Sequence, residues 1–496
     1  MISHLLYDNI RKVKSIMAMD KKYDVLVIGC GVIGAAAAFE LSKYDLKTAV
    51  LEKGNDVSLG TTKANSAIIH AGFDPEPGTL MAKLNVRGSE MAAEICEKLD
   101  VPYRRNGAMV VAFTEEEVQS LKGLYTRGTV NGVKGLRILT GEEAREREPG
   151  LSPEVKGALC APTSAIISPW EYCLAMAETA VINGTDLLLD TEVTAIERDG
   201  DLWKVTTNKG EFTAPYVVNA AGVDAVSVHN MAAPVKYTSK PRRGEYFLLD
   251  KSEGSRTEHT IFQCPNEDGK GVLVTPTVHG NLLVGPNSES VEWDDTANTT
   301  QGLNFVREKA AKSIPGILFN KSIRNFAGVR ATTDCRDFII EEAAPGFIDC
   351  AGICSPGLSA APAIGEYAVE LLKKSGLETA EKEDFIYERK RIRFNELSDE
   401  EKAELVKKDP SYGRVICRCE TVTEGEILEC FRGPIPPVSI DGVKRRVGTG
   451  MGRCQGGFCG PRISELFIEE RGYDVTEVLQ DRAGSEMFVG KTKEGR

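Results

Sequence analysis

Near its start the chain runs YDVLVI, Tyr23 to Ile28, an apolar stretch suited to a strand buried on both faces. Small apolar residues follow from Ala35 to Leu41, as in a helix packed closely on a sheet, and Thr48 to Leu51 returns as a second, parallel strand. GAMVVAF (107–113), YVVNAAG (216–222), GEYFLLD (244–250) and GNLLVGP (280–286) each predict a further strand. EYCLAMAETAVING (171–184) predicts a helix closed by Gly184. Around Ile348 the run FIDCAGICSPGLSAAPAIGEYAVELLKKSG repeats the strand–turn–helix pattern. Strands alternating with helices predict an α/β architecture.

Between the first strand and the first helix, Gly29, Gly31 and Gly34 form GxGxxG, and Glu52 closes the second strand. Each position has a mechanical reason. Gly29 permits the tight turn, Gly31 lets backbone N–H groups approach a pyrophosphate, Gly34 lets helix meet sheet, and Glu52 accepts from a ribose. The context predicts a Rossmann-like dinucleotide-binding domain over 23–377. A mixed-sheet substrate domain is inserted into it at roughly 80–160 and 235–325.

The pattern then changes. ETAEKEDFIYERKRIRFNELSDEEKAELVKKDPSYG (378–413) is highly charged with little apolar periodicity, and predicts a solvated, partly helical connector. Beyond it lie a small cysteine-bearing domain (414–480) and a tail (481–496). Residues 1–22 predict a leader without a cleavage site, and Met17 and Met19 offer alternative starts. All nucleotide and substrate motifs precede residue 376, so a chain cut in the connector is expected to keep its cofactor.

Bulk numbers narrow the function. The 496 residues carry a net charge of −12, which excludes a nucleic-acid backbone as partner. No apolar run approaches the ~18 residues of a direct membrane span. Thirteen cysteines without a secretory signal suit a reducing compartment, so a cytoplasmic location is expected, with any membrane association made through a partner. Nine of them, among them Cys30, Cys335 and Cys354, show no ligand spacing and predict small buried side chains.

FAD and NAD are both dinucleotides for the GxGxxG turn. After Glu52 comes NDVSLGTTKANSAIIHAGFD, a polar, glycine-bearing segment in place of another regular helix. With VVNAAGVDA (217–225) and GICSPGLSAAPAIGEYAVELL (352–372), it resembles the flavoprotein family that includes D-amino-acid oxidase, glycine oxidase and glycerol-3-phosphate dehydrogenase. The resemblance covers about Tyr23 to Ser375. It implies FAD, with Asn65 and Ser66 beside the flavin. It also implies contacts from Ala221 and Gly222 in the second motif, and Gly357 and Leu358 at the pyrimidine end.

Cys417 and Cys419 give CxC, and Cys454 and Cys459 give CxxxxC within GTGMGRCQGGFCG. Zinc ribbons prefer two CxxC knuckles, whereas four thiolates in glycine-rich loops suit a [2Fe–2S] cluster; zinc and plain buried thiols are the alternatives. The two segments resemble the small helical ferredoxin domain related to bacterioferritin-associated ferredoxin. A flavin takes two electrons together and a [2Fe–2S] centre passes them singly. The pairing therefore implies a separate redox subunit as acceptor, with O₂ a poor one.

For an anionic substrate the arginines matter most, because a guanidinium holds a carboxylate or phosphate through two parallel bonds. KPRRGEYFLLD puts Arg242 and Arg243 at a strand entrance. AGVR, ending at Arg330, resembles the segment that supplies a substrate-binding arginine in glycerol-3-phosphate dehydrogenases. Arg330 is the favoured anion site and Arg243 the alternative. His70, in IIHAG, is the candidate base that takes the O–H proton of a secondary alcohol while the flavin takes the hydride; a water relay is the alternative. RGEYF, NSAIIHAG and LLVGPN resemble L-2-hydroxyglutarate dehydrogenases instead. Asp74 stands where the glycerol-phosphate family usually has arginine, and an aspartate there repels phosphate. Glycerol 3-phosphate is the favoured substrate, ahead of a 2-hydroxyacid or an amine. A non-catalytic electron relay is the reading of a different class.

Overall fold

The computed structural model describes residues 21–265, 271–293, 295–490 and 493. Apart from Lys21 and Lys22, the expected leader lies outside the described residues.

Val25–Ile28 forms a strand whose four residues are all buried, and it pairs in parallel with Thr48–Leu51 on one side and Tyr216–Asn219 on the other. Asp186–Leu188 extends this sheet beyond Thr48–Leu51, and Phe347–Ala351 with antiparallel Ile339–Ala344 complete its six strands. The helix Val32–Leu41 is alanine-rich, so its neighbours come close. A Cβ on Gly365 of the helix Gly357–Lys374 would sit 2.7 Å from the carbonyl oxygen of Ala36. Phe39 is fully buried between these layers, worth about 1.5–3 kcal/mol by area alone.

The two insertions meet in one sheet of nine strands. Ala108–Ala112, Gly157–Ala161 and Arg137–Thr140 come from the first insertion, and the strands from Arg242–Leu249 to Ser322–Arg330 come from the second. The seam is the parallel pair Thr260–Gln263 with Ala108–Ala112, amid antiparallel neighbours. The last strand reaches Arg330, slightly past the insertion expected from sequence, and returns the chain to the nucleotide sheet.

Residues 415–478 build their own core from Cys417, Ile427, Phe431, Val443, Ile463, Leu466 and Phe467 on the helices Glu424–Arg432, Ile440–Val447 and Cys459–Arg471. The connector departs from the solvated expectation. Only Asp399–Lys408 is an exposed, capping-boxed helix. Earlier, Phe385 and Tyr387 pack against Phe39, and Arg389 is buried on Glu178 at 2.6 Å. Arg391 and Arg393 both bond Glu171, at 2.9 and 3.3 Å. Charge alone did not predict this, because these cations have acidic partners waiting on a distant helix.

Six of the nine cysteines outside the clustered set are buried, but Cys335 is exposed and Cys354 and Cys430 are half-buried. No helix among the described residues is long and apolar enough to cross a membrane.

Candidate functional site

The carboxyl ends of the nucleotide-sheet strands open into a cavity of about 1390 Å³ that continues between the two sheets. It exceeds the volume of a single small-ligand pocket and suits a dinucleotide with a small substrate. At its floor Gly29 turns with φ +94°, and a Cβ there would lie 2.7 Å from the Ala220 oxygen. Gly34 lies beneath that turn, where its lack of a side chain lets the helix pack, and does not itself face the cavity.

Glu52 accepts from the backbone N–H of Cys30 and of Gly54, each at 2.7 Å. Burial raises its carboxyl above the ordinary range, and these two bonds oppose the shift. Thr62, not singled out by sequence, accepts from the N–H of Val32 at 2.9 Å and so ties the next turn to the helix start. Asn65 accepts from the N–H of Ala67, which has φ 59°, and donates to the carbonyls of Thr61 and Thr62. Ser66 and Tyr246 hydroxyls lie 3.2 Å apart. Ala221, Gly222, Gly357 and Leu358 also line the cavity, with the last two at a helix start.

His70 reaches the cavity beside Phe262, ring centroids 5.7 Å apart, with Nε2 3.4 Å from Ser355 Oγ. Its backbone is held firmly. The N–H donates to Ser359 at 2.7 Å, and the carbonyl accepts from Asn85 at 2.7 Å.

Arg330 lines the cavity, and so does Arg242, its direct partner across the antiparallel pair. Paired residues share a face. Arg242 donates to Ser288 Oγ at 2.8 Å and to the Ser288 carbonyl at 2.9 Å; Arg330 donates to the Asn287 carbonyl at 3.3 Å. Among the described residues neither has a carboxylate within ion-pair distance. Gly244 makes the room, since a Cβ there would lie 2.6 Å from Arg330 Nη2.

The choice of Arg243 is corrected here. Strand side chains alternate faces, so Arg243 points away from the cavity to Glu245, Glu289 and Asp295 and is 4% exposed. Asp74 is also absent from the cavity lining, and the repulsion expected of it has no geometric basis.

The four thiols gather at one end of the small domain. Cys419 and Cys454 sulfurs are 3.7 Å apart, and Cys459 is hydrogen-bonded to Cys417. That bond, with the N–H groups of Gly450 and Glu420, lowers the Cys417 thiol against the opposing effect of burial. The Phe458 N–H lowers Cys454. Among the described residues no group of three or more His, Cys, Asp or Glu is arranged around a single metal ion. Two thiol pairs among inward-pointing amides match instead the demands of a two-iron cluster, whose sulfurs accept backbone hydrogen bonds. Cys417 and Cys459 are buried, while Cys419 is exposed.

The small domain is clamped to the nucleotide domain. Asp56, 1% exposed, accepts from Arg445 at 2.9 Å and from both Nη atoms of Arg446 at 2.8 Å. Asp481 bonds Arg445 at 3.0 Å and Lys63 at 3.1 Å. Asp481, Arg482 and Ala483, which the sequence places in a tail, are part of the cavity wall. No motif in that stretch signals it.

A Rossmann-like turn over a two-sheet cavity suits a dinucleotide-dependent oxidoreductase, and the chain belongs to the FAD dependent oxidoreductase family, whose model matches residues 24–371. Residues 415–469 match the BFD-like [2Fe-2S] binding domain, so the chain carries FAD and a [2Fe–2S] cluster. It is 50% identical over 475 residues to a glycerol 3-phosphate dehydrogenase of Caloramator mitchellensis, covering 95% of this chain and 99% of that one. It is 33% identical over 282 residues to the mouse mitochondrial L-2-hydroxyglutarate dehydrogenase, covering 53% and 60%. Among solved structures, the FAD-bound L-α-glycerophosphate oxidase of Mycoplasma pneumoniae superposes with a TM-score of 0.71 at 32% identity, over 75% of this chain and 99% of that one.

Proposed function

We propose that the protein is an FAD-dependent glycerol 3-phosphate dehydrogenase that hands its electrons, through its own [2Fe–2S] cluster, to a separate redox partner. The observation that carries this reading is the pair Arg330 and Arg242, side by side on the cavity wall with only neutral oxygens as partners. Two guanidiniums without a buried acid call for an anionic ligand, and a phosphate satisfies both. The relative that matches over nearly the whole of both chains supports this substrate over L-2-hydroxyglutarate. The L-2-hydroxyglutarate dehydrogenase relatives are less similar, at 33% identity for the mouse enzyme over 53% of this chain and 28% for an Arabidopsis enzyme over 70% of it.

Bound FAD supplies the two-electron acceptor and the cluster a one-electron carrier. Arg330 and Arg242 would hold the phosphate and so fix the orientation of the secondary carbinol in the cavity. His70, its backbone pinned at both ends, takes the hydroxyl proton at Nε2, with Ser355 alongside. Gly29, Gly31 and Glu52 hold the dinucleotide; Asn65, Ser66, Ala221, Gly222, Gly357 and Leu358 surround the flavin. Cys417, Cys419, Cys454 and Cys459 hold the cluster. Cys419, which would help hold the cluster, is exposed, and Phe458, whose N–H bonds Cys454, is 76% exposed, so a partner would approach the cluster at this edge. An aromatic side chain open to solvent at this edge offers an anchor for a partner.

The test is anaerobic bleaching of the flavin by glycerol 3-phosphate, L-2-hydroxyglutarate and glycine in parallel. Fast bleaching by glycerol 3-phosphate alone is expected. Preferential bleaching by L-2-hydroxyglutarate overturns the substrate, and none by any of the three favours the electron-relay reading. Turnover is then compared in air and with a one-electron dye. The dye rate should dominate and collapse in Cys454→Ser; fast turnover in air that survives this change makes the enzyme an oxidase.

A further inference from the structure

We infer that the turn Asp481–Ala483 belongs to the FAD site, so that the cluster domain holds the cofactor as well as draining it. Three observations converge on the same mouth of the cavity. Asp481, Arg482 and Ala483 line it, together with Glu52, Lys53 and Lys63. The backbone and side chain of Asp481 are both fixed to the nucleotide domain. Its carbonyl accepts from Asn55 at 2.8 Å, and its carboxylate accepts from Lys63 at 3.1 Å. Asn55 lies in the loop that begins at Glu52, the ribose position, and Lys63 follows Thr62, which bonds the start of the first helix. Both partners therefore belong to segments that border the dinucleotide turn.

Both lysines at this mouth are already paired. Lys53 pairs with Asp224 at 2.7 Å, and Lys63 with Asp481. Arg482 lines the same wall, is exposed, and has no carboxylate within ion-pair distance among the described residues. Its backbone is set by a tight turn, in which Ser485 donates through both N–H and hydroxyl to the Arg482 carbonyl. A dinucleotide carries two negative charges on its pyrophosphate, and a guanidinium on this wall would be suited to them. Arg482 would hold the dinucleotide as a latch supplied from the far end of the chain. Asp56, on the loop that begins at Glu52, grips Arg445 and Arg446 and keeps the latch in register.

A chain cut in the connector near Lys408 then loses part of its FAD affinity, contrary to the expectation from motif positions alone. The direct test uses the full-length protein. FAD is titrated into flavin-free wild type, Arg482→Ala and Arg482→Lys, following flavin fluorescence. Iron content and the melting temperature of the flavin-free form serve as controls. Arg482→Ala should bind FAD about tenfold more weakly, with both controls unchanged, and Arg482→Lys should recover much of the loss. In the wild type, FAD should slow amide hydrogen exchange over residues 479–486. An unchanged dissociation constant in Arg482→Ala overturns the inference, and so does exchange over that turn that ignores FAD.

Discussion

Arg242 and Arg330 face the cavity with nothing but hydroxyl and carbonyl oxygens for company, whereas Arg445 and Arg446 close on the single carboxylate of Asp56. Both pairs are adjacent guanidiniums, and both lie near the cofactor domain. They differ in what satisfies them. At the domain junction the countercharge is built into the chain, so the arginines are structural and fasten the small domain. In the cavity the countercharge must arrive from outside, so the arginines are poised for a ligand. An arginine thus reports a binding site by the acid it lacks more than by its own presence.

The largest expected effect lies at the junction. Among the described residues Asp56→Ala leaves the buried Arg446 without a carboxylate and Arg445 with Asp481 alone, and breaking a buried pair in this way costs about 3–5 kcal/mol. The unfolding midpoint in urea should fall markedly, and a wild-type midpoint would mean that the junction is held by something else. Burial alone would raise the Asp56 carboxyl, but Arg446 and Arg445 bring it from 3.8 down to about 2. Its folded value is depressed, so its contribution is complete above about pH 4 and is lost as pH falls toward 2. The stabilities of wild type and Asp56→Asn should converge across that window, measured as unfolding midpoints at a series of pH values.

The cavity pair is tested by its own substitution and by that of its neighbour in sequence. Arg330→Met should lower kcat/KM by about 2–4 kcal/mol with FAD content unchanged. Arg243→Met should do the opposite, sparing kcat/KM but lowering the unfolding midpoint, because Glu245 is left fully buried without its cation. A selective loss of kcat/KM in Arg243→Met would return the anion site to that residue and erase the contrast between the two regions.

Much of the fold was legible because its signals are local. The strand Val25–Ile28, the GxGxxG turn and Glu52 lie within one short span, and the backbone alone gives each its task. The cysteine pairs were legible for the same reason, since spacing and glycine content fix where thiols can converge. Arg242 and Arg243 show where that reading fails. Adjacent strand residues point to opposite faces, and which face is the cavity depends on Ser322–Arg330 pairing alongside from far along the chain. The connector fails likewise. Arg389 and Arg391 are charged residues in a charged run, and only Glu178 and Glu171, on a remote helix, make them anchors. Residues 481–483 carry no motif, and their place in the cavity wall follows from how two domains dock.

The smallest effect expected is at the outer edge of the junction, where Lys251 of the substrate domain meets Glu420 of the cluster domain at 2.8 Å. This pair fastens the small domain to the substrate domain, where the buried network fastens it to the nucleotide domain, and the Lys251 side chain is 48% exposed. Water already solvates the Lys251 ammonium, salt screens the pair, and holding a long side chain in place costs entropy. Lys251→Met should therefore shift stability by no more than about 1 kcal/mol, and the shift should shrink as salt is added. Unfolding midpoints of wild type and variant at low and high ionic strength check this. A loss as large as that of Asp56→Ala would mean that the small domain is held by its surface charges, and the buried arginines would no longer explain the docking.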